Sequence, residues 1–420
     1  MSKPIPGGNY LVEKDGSLSE IATQAYGDPI RASELWSANK SRTDEYVFKG
    51  ETLIIPGDPP ADKLTGKDPN FITILIDGLE VPMFSARILR TMDTGADGWS
   101  GAMVWNPGEN SALDKATRPY SYARAAAYIG NELQVSGALY TVEPEKTESG
   151  IIKGLTGYSF TADAIDSHIQ PPYQRVNITL EQLANELAAT LGIKAVFEDD
   201  FGGPFARVTG HETDTIFTHL SKLASERGGL VGNTPQGDFL FQRAKTDGTP
   251  VGTLDESQPI VIEWKASYKG RKRFNAYKCI FAGVKTASPK WGQAAVGTPG
   301  PITITSPDPL VPRSRFQTFR ADDTTQGDMI DAANWRKNKQ LVESLTQSLK
   351  VVGWYAPNGS LWTPNRLVTV VSPTLGVPKG FTFLIKSVEF ILEKERTAVL
   401  SLVPPQGYTK GEIGDVWALD

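Results

Sequence analysis

The chain has 420 residues, enough for about three domains, and its 40% hydrophobic and 22% charged residues are the proportions of an ordinary globular protein. A formal net charge of −5 argues against nucleic-acid binding through bulk positive charge, and the single cysteine, Cys279, excludes an internal disulfide and suits a reducing cytoplasm. The N-terminus lacks the apolar stretch of a signal peptide, and no run of about 18 apolar residues predicts a membrane-spanning helix.

Tyr10 and Val12 open a short strand that turns at Asp15-Gly16. Ser17, with Glu20 three positions on, predicts a capping box for a helix that buries Leu18, Ile21, Ala22 and Ala25 and stops at Gly27. A second helix carries Ala32, Leu35 and Trp36 and ends near Asn39; Gly50 then starts a closing strand through Leu53-Ile54-Ile55, stopped by Pro56. This order, together with Tyr26-Gly27, resembles a LysM module over residues 1–57. The resemblance implies a βααβ fold with a ligand or partner groove between two loops, Asp15, Gly16, Ser17 and Leu18 on one side and Val47, Phe48, Lys49 and Gly50 on the other. The family's usual Gly-Asp turn stands here as Asp15-Gly16. Residues 58–70, rich in proline, glycine and charge, predict a linker.

From Phe71 the pattern changes to a period of two. Apolar runs flank Asp77-Gly78, a hairpin signal, and strand-like pieces follow around 86–92, 102–105, 126–135, 138–143 and 151–158, predicting a small sheet or barrel over 71–170. An α/β insertion is expected over 171–250. Its first helix is capped by Thr179 with Gln182, runs through Leu180, Leu183, Ala184, Leu187, Ala188 and Leu191, and ends at Gly192. A strand at 195–197 follows, then a helix carrying Ile216, Phe217, Leu220, Leu223 and Ala224, then a hairpin from Leu230 to Phe241. Strands return at 260–264 and 268–282. Residues 284–313, rich in Pro, Gly, Ser and Thr, predict a long loop or edge hairpin. A helix over 325–340 and strands at 345–351, 368–370, 383–385 and 398–402 complete a second small barrel over 251–420 with a C-terminal tail. The fold class is α+β, mainly β.

Little in the chain reads as chemistry. His211-Glu212 begins like a zinc helix, but Thr215 stands where the second histidine belongs, and His219 lies eight residues on with no third ligand. His168 beside Asp166 fits a turn, and Cys279 among Tyr277, Ile280 and Phe281 fits a buried strand. The run Glu198-Asp199-Asp200 reads as a solvated loop rather than a glycosidase pair, and Gly66-Lys67, with Ala61 and Asp68 at the diagnostic positions, is no P-loop. No catalytic, metal or cofactor site is assigned. The strongest charge feature is basic: Lys265, Lys269, Arg271, Lys272, Arg273 and Lys278. It suits contact with an acidic partner or nucleic acid, or equally a strand edge guarded against aggregation. Trp354 and Trp362 flank a Pro-Asn-Gly turn as interface anchors or core residues. Lys269, Arg271, Lys272, Arg273, Trp354 and Trp362 form the candidate interface set.

Four stretches carry a second resemblance: GLTGYSFTADAIDSHI at 154–169, NITLEQLANELAATLGI at 177–193, ETDTIFTHLSKLASERGGLVGNTPQGDFLFQRA at 212–244, and VVGWYAPNGSLWTPNRLVTVVSPTLGVPKGFTFLIKSVEF at 351–390 followed by RTAVLSLVPPQGY at 396–408. Together they resemble baseplate hub proteins of contractile-tail bacteriophages, the Mu-type tail protein and late control protein D group. That implies two tube-protein-like barrels in one chain. A homotrimer would present six barrels to a hexameric tail tube or tube-initiator protein on one side and a trimeric spike on the other. It implies a virion baseplate component assembled in the host cytoplasm, with no enzymatic activity, no cofactor and no stable nucleic-acid or membrane binding. The LysM module would meet another baseplate protein or peptidoglycan. The alternatives are a cell-wall hydrolase or adhesin targeted by LysM, and the equivalent hub of a contractile injection system.

Overall fold

The computed structural model describes residues 4, 9–26, 32, 35, 39, 46–54, 63–148, 150–281, 302–320, 326–374 and 376–409. Among them no helix is long and apolar enough to cross a membrane.

The N-terminal unit pairs strand Asn9–Leu11 with Thr52–Ile54, and Gly16–Ser17 with Tyr46–Val47. Helix Leu18–Tyr26 starts at the predicted capping box: Ser17 Oγ accepts the Glu20 N–H at 3.2 Å, and the Glu20 carboxylate accepts the Ser17 N–H at 3.3 Å. Leu18, Ile21, Ala22, Leu35, Val47 and Leu53 form a core of their own. Of the expected second helix, Ala32, Leu35 and Asn39 are described; Trp36 lies outside the described residues, as do Gly27, Ile55, Pro56 and the first part of the linker. Asn39 binds the closing strand through both side-chain atoms, donating to Ile54 O and accepting the Ile54 N–H, each at 2.9 Å. The end of the expected linker is not free chain. Lys63 bridges to Glu132, the Leu64 N–H reaches Asn131 O at 2.8 Å, and the Leu64 side chain packs against a cluster containing Tyr128 and Leu133.

Among the described residues thirteen strands form one sheet, and they fall into two units with the same internal order. The first comprises Ile72–Ile76, Leu79–Val81, Met83–Thr91, Gly98–Val104, Arg124–Ile129, Glu132–Thr147 and Gly150–Ser159. The second comprises Thr253–Asp255, Val261–Tyr268, Leu345–Val352, Leu367–Ser372, Val377–Leu392 and Arg396–Val403. In each, Met83–Thr91 or Val261–Tyr268 pairs with the next strand of its unit, and that strand pairs with the last. The last pairs with the 16-residue strand before it, which takes up its predecessor, and the predecessor meets the opening strand. In the first unit Leu79–Val81 leads through Pro82 into Met83–Thr91. Two of the irregularities coincide as well. One residue is slipped at Phe84 and at Ile262, and again at Tyr140 and at Lys386. Aligning these bulges sets Trp99 on Gln347 and Ser100 on Ser348, consistently across the neighbouring ladders.

The units, expected as separate barrels, join edge to edge. Ala86–Thr91 pairs antiparallel with Ser387–Leu392, and one apolar interior runs through both, from Ile74, Ile88 and Trp99 to Leu349, Trp354 and Phe390. The Asp77-Gly78 hairpin is as predicted, both residues at positive φ, 48° and 76°, as a type I′ turn requires. The expected strand at 126–135 is instead two strands around a turn at Gly130-Asn131. The expected strand at 268–282 is also broken, because the hydrophilic run Lys269–Arg273 interrupts the alternation as a short 3-10 turn. Beyond it Ala276–Phe281 belongs to a separate three-stranded sheet, with Ile302–Pro307 as the edge hairpin partner and Phe316–Arg320 on the other side, packed on helix Gln326–Ser344.

The insertion has its own core, with Leu183, Leu187, Leu220, Phe239 and Phe241 buried between helices Leu180–Ala189 and Ile216–Glu226 and the sheet beneath. Both helices start at capping boxes, Thr179 with Gln182 as predicted and Thr215 with Thr218. Strand Ala195–Phe197 runs parallel to Phe239–Gln242, which pairs with Leu230–Asn233.

Candidate interaction surfaces

The two loops expected to border a groove in the N-terminal unit touch. Gly16 and Ser17 ladder with Val47 and Tyr46, and Asp15 Oδ1 accepts the Lys49 N–H at 2.7 Å. Leu18 and Val47 point into the core, whereas Asp15, Phe48, Lys49 and Gly50 are exposed and Ser17 is half-buried. Tyr46, which the loop boundaries left out, stands exposed beside Phe48 with the rings edge to face at 5.4 Å. Its signal was the aromatic two positions before Phe48, on the same side of an extended strand.

The basic run does not act as one patch. Arg273 makes a two-pronged ion pair with Asp308, at 3.1 and 2.8 Å, and Asp308 is buried, so Arg273 braces two loops. Lys278 lies 4.6 Å over the ring of Phe316, and Lys265 pairs with Glu263 on its own strand at 2.5 Å. Lys269, Arg271 and Lys272 are exposed. Lys269 and Lys272 line a pocket of about 390 Å³ together with Lys386 and with Thr91, Ser387 and Ser401, at the join of the two units. Lys386 is the bulged residue of its strand, and the bulge aims its Nζ at Asp93, 3.3 Å away.

Of the two readings for Trp354 and Trp362, burial favours the core over the interface. Each is 1% exposed, and Trp354 Nε1 donates to Thr397 O at 3.1 Å while its ring meets Phe390 edge to face. The turn they flank packs them inward, so they hold the shared core and present nothing to a partner.

The remaining candidates have structural partners. The His211 N–H donates to the Asp214 carboxylate at 2.8 Å. His168 bridges to Thr215, and His219 is buried, which holds its imidazole below the usual range despite Asp214 nearby. Cys279 is buried with Met329 and Ala333. Asp199 accepts the Arg243 N–H and Asp200 the Gly202 N–H. Among the described residues no group of three or more His, Cys, Asp or Glu could hold a metal ion.

One polar node was not legible in the sequence. Asp97, fully buried, accepts the Thr91 N–H at 2.7 Å and faces Arg90 Nε at 3.3 Å. Asn233 of the insertion, with its amide oriented to suit, donates to Asp97 Oδ2 at 2.7 Å and accepts the Asp97 N–H at 2.8 Å. Close by, Asn365 of the second unit donates to Gln242 Oε1 at 2.7 Å, and Gln242 donates to Met92 O. Two units and the insertion are thus pinned together by hydrogen bonds around residues 91–97.

The described residues thus form a strand framework of two units with the same strand order and an inserted α/β domain. Two family models match within it: the second domain of baseplate hub protein gp44-like proteins over residues 161–243, and the fourth domain of the Mu phage baseplate assembly protein GpP over residues 325–411. Over these segments the chain is similar to the Mu-type phage baseplate hub proteins. In particular it is similar to baseplate hub protein gp44 of Escherichia phage Mu, with 27% identity over 293 residues, 67% of this chain and 74% of that protein. The fold is shared with the 43 kDa tail protein of prophage MuSo2 from Shewanella oneidensis, at a TM-score of 0.68 and 24% identity, over 80% of this chain and 99% of that one. It is shared too with a tail protein from Neisseria meningitidis MC58, at 0.66 and 16% identity, over 80% and 98%.

Proposed function

We propose that the chain is a structural, non-enzymatic hub of a contractile phage tail, a homotrimer joining the hexameric tail tube or its initiator to a trimeric spike. The observation that carries this is the duplicated strand order. Three chains with two equivalent units each supply six near-identical positions to a sixfold partner while keeping threefold symmetry for the other. We read each unit as a small tube-like barrel, over 71–170 and 251–420, with 171–250 inserted between them. The N-terminal unit, read as a LysM module over 1–57, docks on a neighbouring baseplate protein. Asp15, bound to the Lys49 N–H, closes the loops on each other, and the exposed Tyr46–Phe48 pair offers an aromatic contact.

Native mass spectrometry of the assembled tail tip tests the adaptor role. A hub species of about 137 kDa, three times 45.6 kDa, is expected. A stable dimer or tetramer of the chain in the tip would overturn it, and so would peptidoglycan clearing by the purified chain that a single carboxylate substitution abolishes.

A further inference from the structure

Three hydroxyl side chains stand in a row where the two units join. Ser387 is the ladder partner of Thr91 on one side and of Ser401 on the other, so the row crosses three strands. Cross-strand partners share a face, and the next residues along, Val388 and Leu400, are buried in the core behind it. The row therefore lies on the outer face, where it lines the pocket of about 390 Å³ with Thr346 and with Lys269, Lys272 and Lys386. The turn that carries two of these lysines is fastened in place. The Lys269 N–H donates to Ser344 O at 2.6 Å, and the Lys272 N–H to Lys269 O at 2.9 Å. The first bond also satisfies the last carbonyl of helix Gln326–Ser344, whose negative end would otherwise oppose an anion.

Three ammonium groups here outnumber two carboxylates. Lys386 lies 3.3 Å from Asp93, and Glu343 on the pocket wall accepts from Gln340 Nε2 at 3.0 Å. Among the described residues the side chains of Lys269 and Lys272 have no partner, and neither do the hydroxyls of Thr346, Ser387 and Ser401. Two cations and three hydroxyl donors thus converge on one cavity uncommitted. The choice of cation narrows the ligand. A carboxylate is matched by the planar fork of arginine, and no arginine lines the pocket. Ammonium point charges and rotatable hydroxyls suit the tetrahedral oxygens of a phosphate.

We infer that this pocket binds a phosphoryl group through Lys269, Lys272 and the Ser387–Ser401 hydroxyls. Its volume falls in the range of about 300–1,000 Å³ usual for small-ligand sites. Both strand units and the 269–272 turn contribute to the wall, so a bound anion stabilises their join. The inference stands apart from the adaptor reading above.

Calorimetric titration of the full-length chain with pyrophosphate tests it, against sodium chloride of equal ionic strength and against citrate. Saturable binding of one pyrophosphate per chain is expected, together with a higher unfolding temperature. Lys269→Ala and Lys272→Ala should each raise the Kd about tenfold, and Ser387→Ala combined with Ser401→Ala should do the same. Both lysines are exposed, so without ligand their variants should unfold at the parent temperature. Lys394→Ala, at an exposed position roughly 20 Å along the same hairpin, should bind as the parent does. Competition by a 5′-phosphorylated oligothymidylate identifies the source of the group. If it displaces pyrophosphate at lower concentration, the phosphoryl group belongs to a nucleic-acid strand; if it does not, to a small molecule; either result upholds the site. Absence of saturable binding, citrate binding as tight as pyrophosphate, or binding that the lysine and serine variants leave intact overturns it. None of these failures alters the number of chains in the tail tip, so the adaptor reading is judged separately.

Discussion

Asp97 shows what a single buried carboxylate does in this scaffold. Burial pushes its pKa up to about 6, outweighing Arg90 and the Thr91 N–H, which favour the charged form. A folded pKa above the unfolded value of about 3.9 means that the native state binds the proton more readily. The stability this group contributes is therefore present on the acid side and is lost as pH rises from about 4 through about 6. Asp97→Asn should flatten the pH dependence of the urea midpoint across that window; an unchanged slope would place the titration elsewhere. Asp97→Ala leaves Arg90, 15% exposed, with Gln134 alone and should cost about 3 kcal/mol. Nothing in the local sequence marks Asp97, because its partners come from residues 90, 159 and 233. The tryptophans make the same point in reverse: Trp354 and Trp362 flank a turn, and a turn-flanking pattern cannot tell an outward ring from an inward one.

At the scale of elements, what is encoded within a few residues was legible. The capping boxes at Ser17 and Thr179 and the Asp77-Gly78 hairpin form as read, since each is a contact between residues at most seven apart. The join between Ala86–Thr91 and Ser387–Leu392 was not, because it unites segments about three hundred residues apart and leaves no periodic trace in either. Its two contributions separate by mutation. Arg87 is half-exposed and reaches Glu393 at 2.8 Å and Glu389 at 3.5 Å, so Arg87→Glu should cost about 1 kcal/mol, a penalty that shrinks as salt is added. Ile88, the next residue and fully buried, should cost about 2–5 kcal/mol on change to Ala at any salt concentration. Thermal unfolding at low and high ionic strength distinguishes them; a salt-sensitive Ile88 variant would contradict this division.

Over the whole molecule, cohesion is uneven. The two strand units share one core and the insertion has another, but the N-terminal unit keeps a separate core of its own. The chain is anchored again from Lys63, where it lies along the first unit. Deleting residues 1–60 should therefore leave the main unfolding transition within about 1 °C of the parent in scanning calorimetry and remove only a minor one. A large drop would reveal packing between the units. Composition of tails built with the truncated chain should show a neighbouring baseplate component reduced. Normal tails, together with peptidoglycan binding lost on deletion, would assign the unit to the cell wall.

Tyr140 and Lys386 occupy the same bulge of the same strand in the two units, yet one ring meets Tyr122 and Tyr158 edge to face while the other side chain reaches out to Asp93. Six identical subunits made from one gene must repeat any change at every position around a ring. A fused pair is released from that constraint, because each half drifts on its own codons. In a ring of three such chains the kink would present an aromatic face and a cationic face in alternation. A ligand with threefold symmetry then meets three of each, and a sixfold one must rely on whatever the two halves have kept in common.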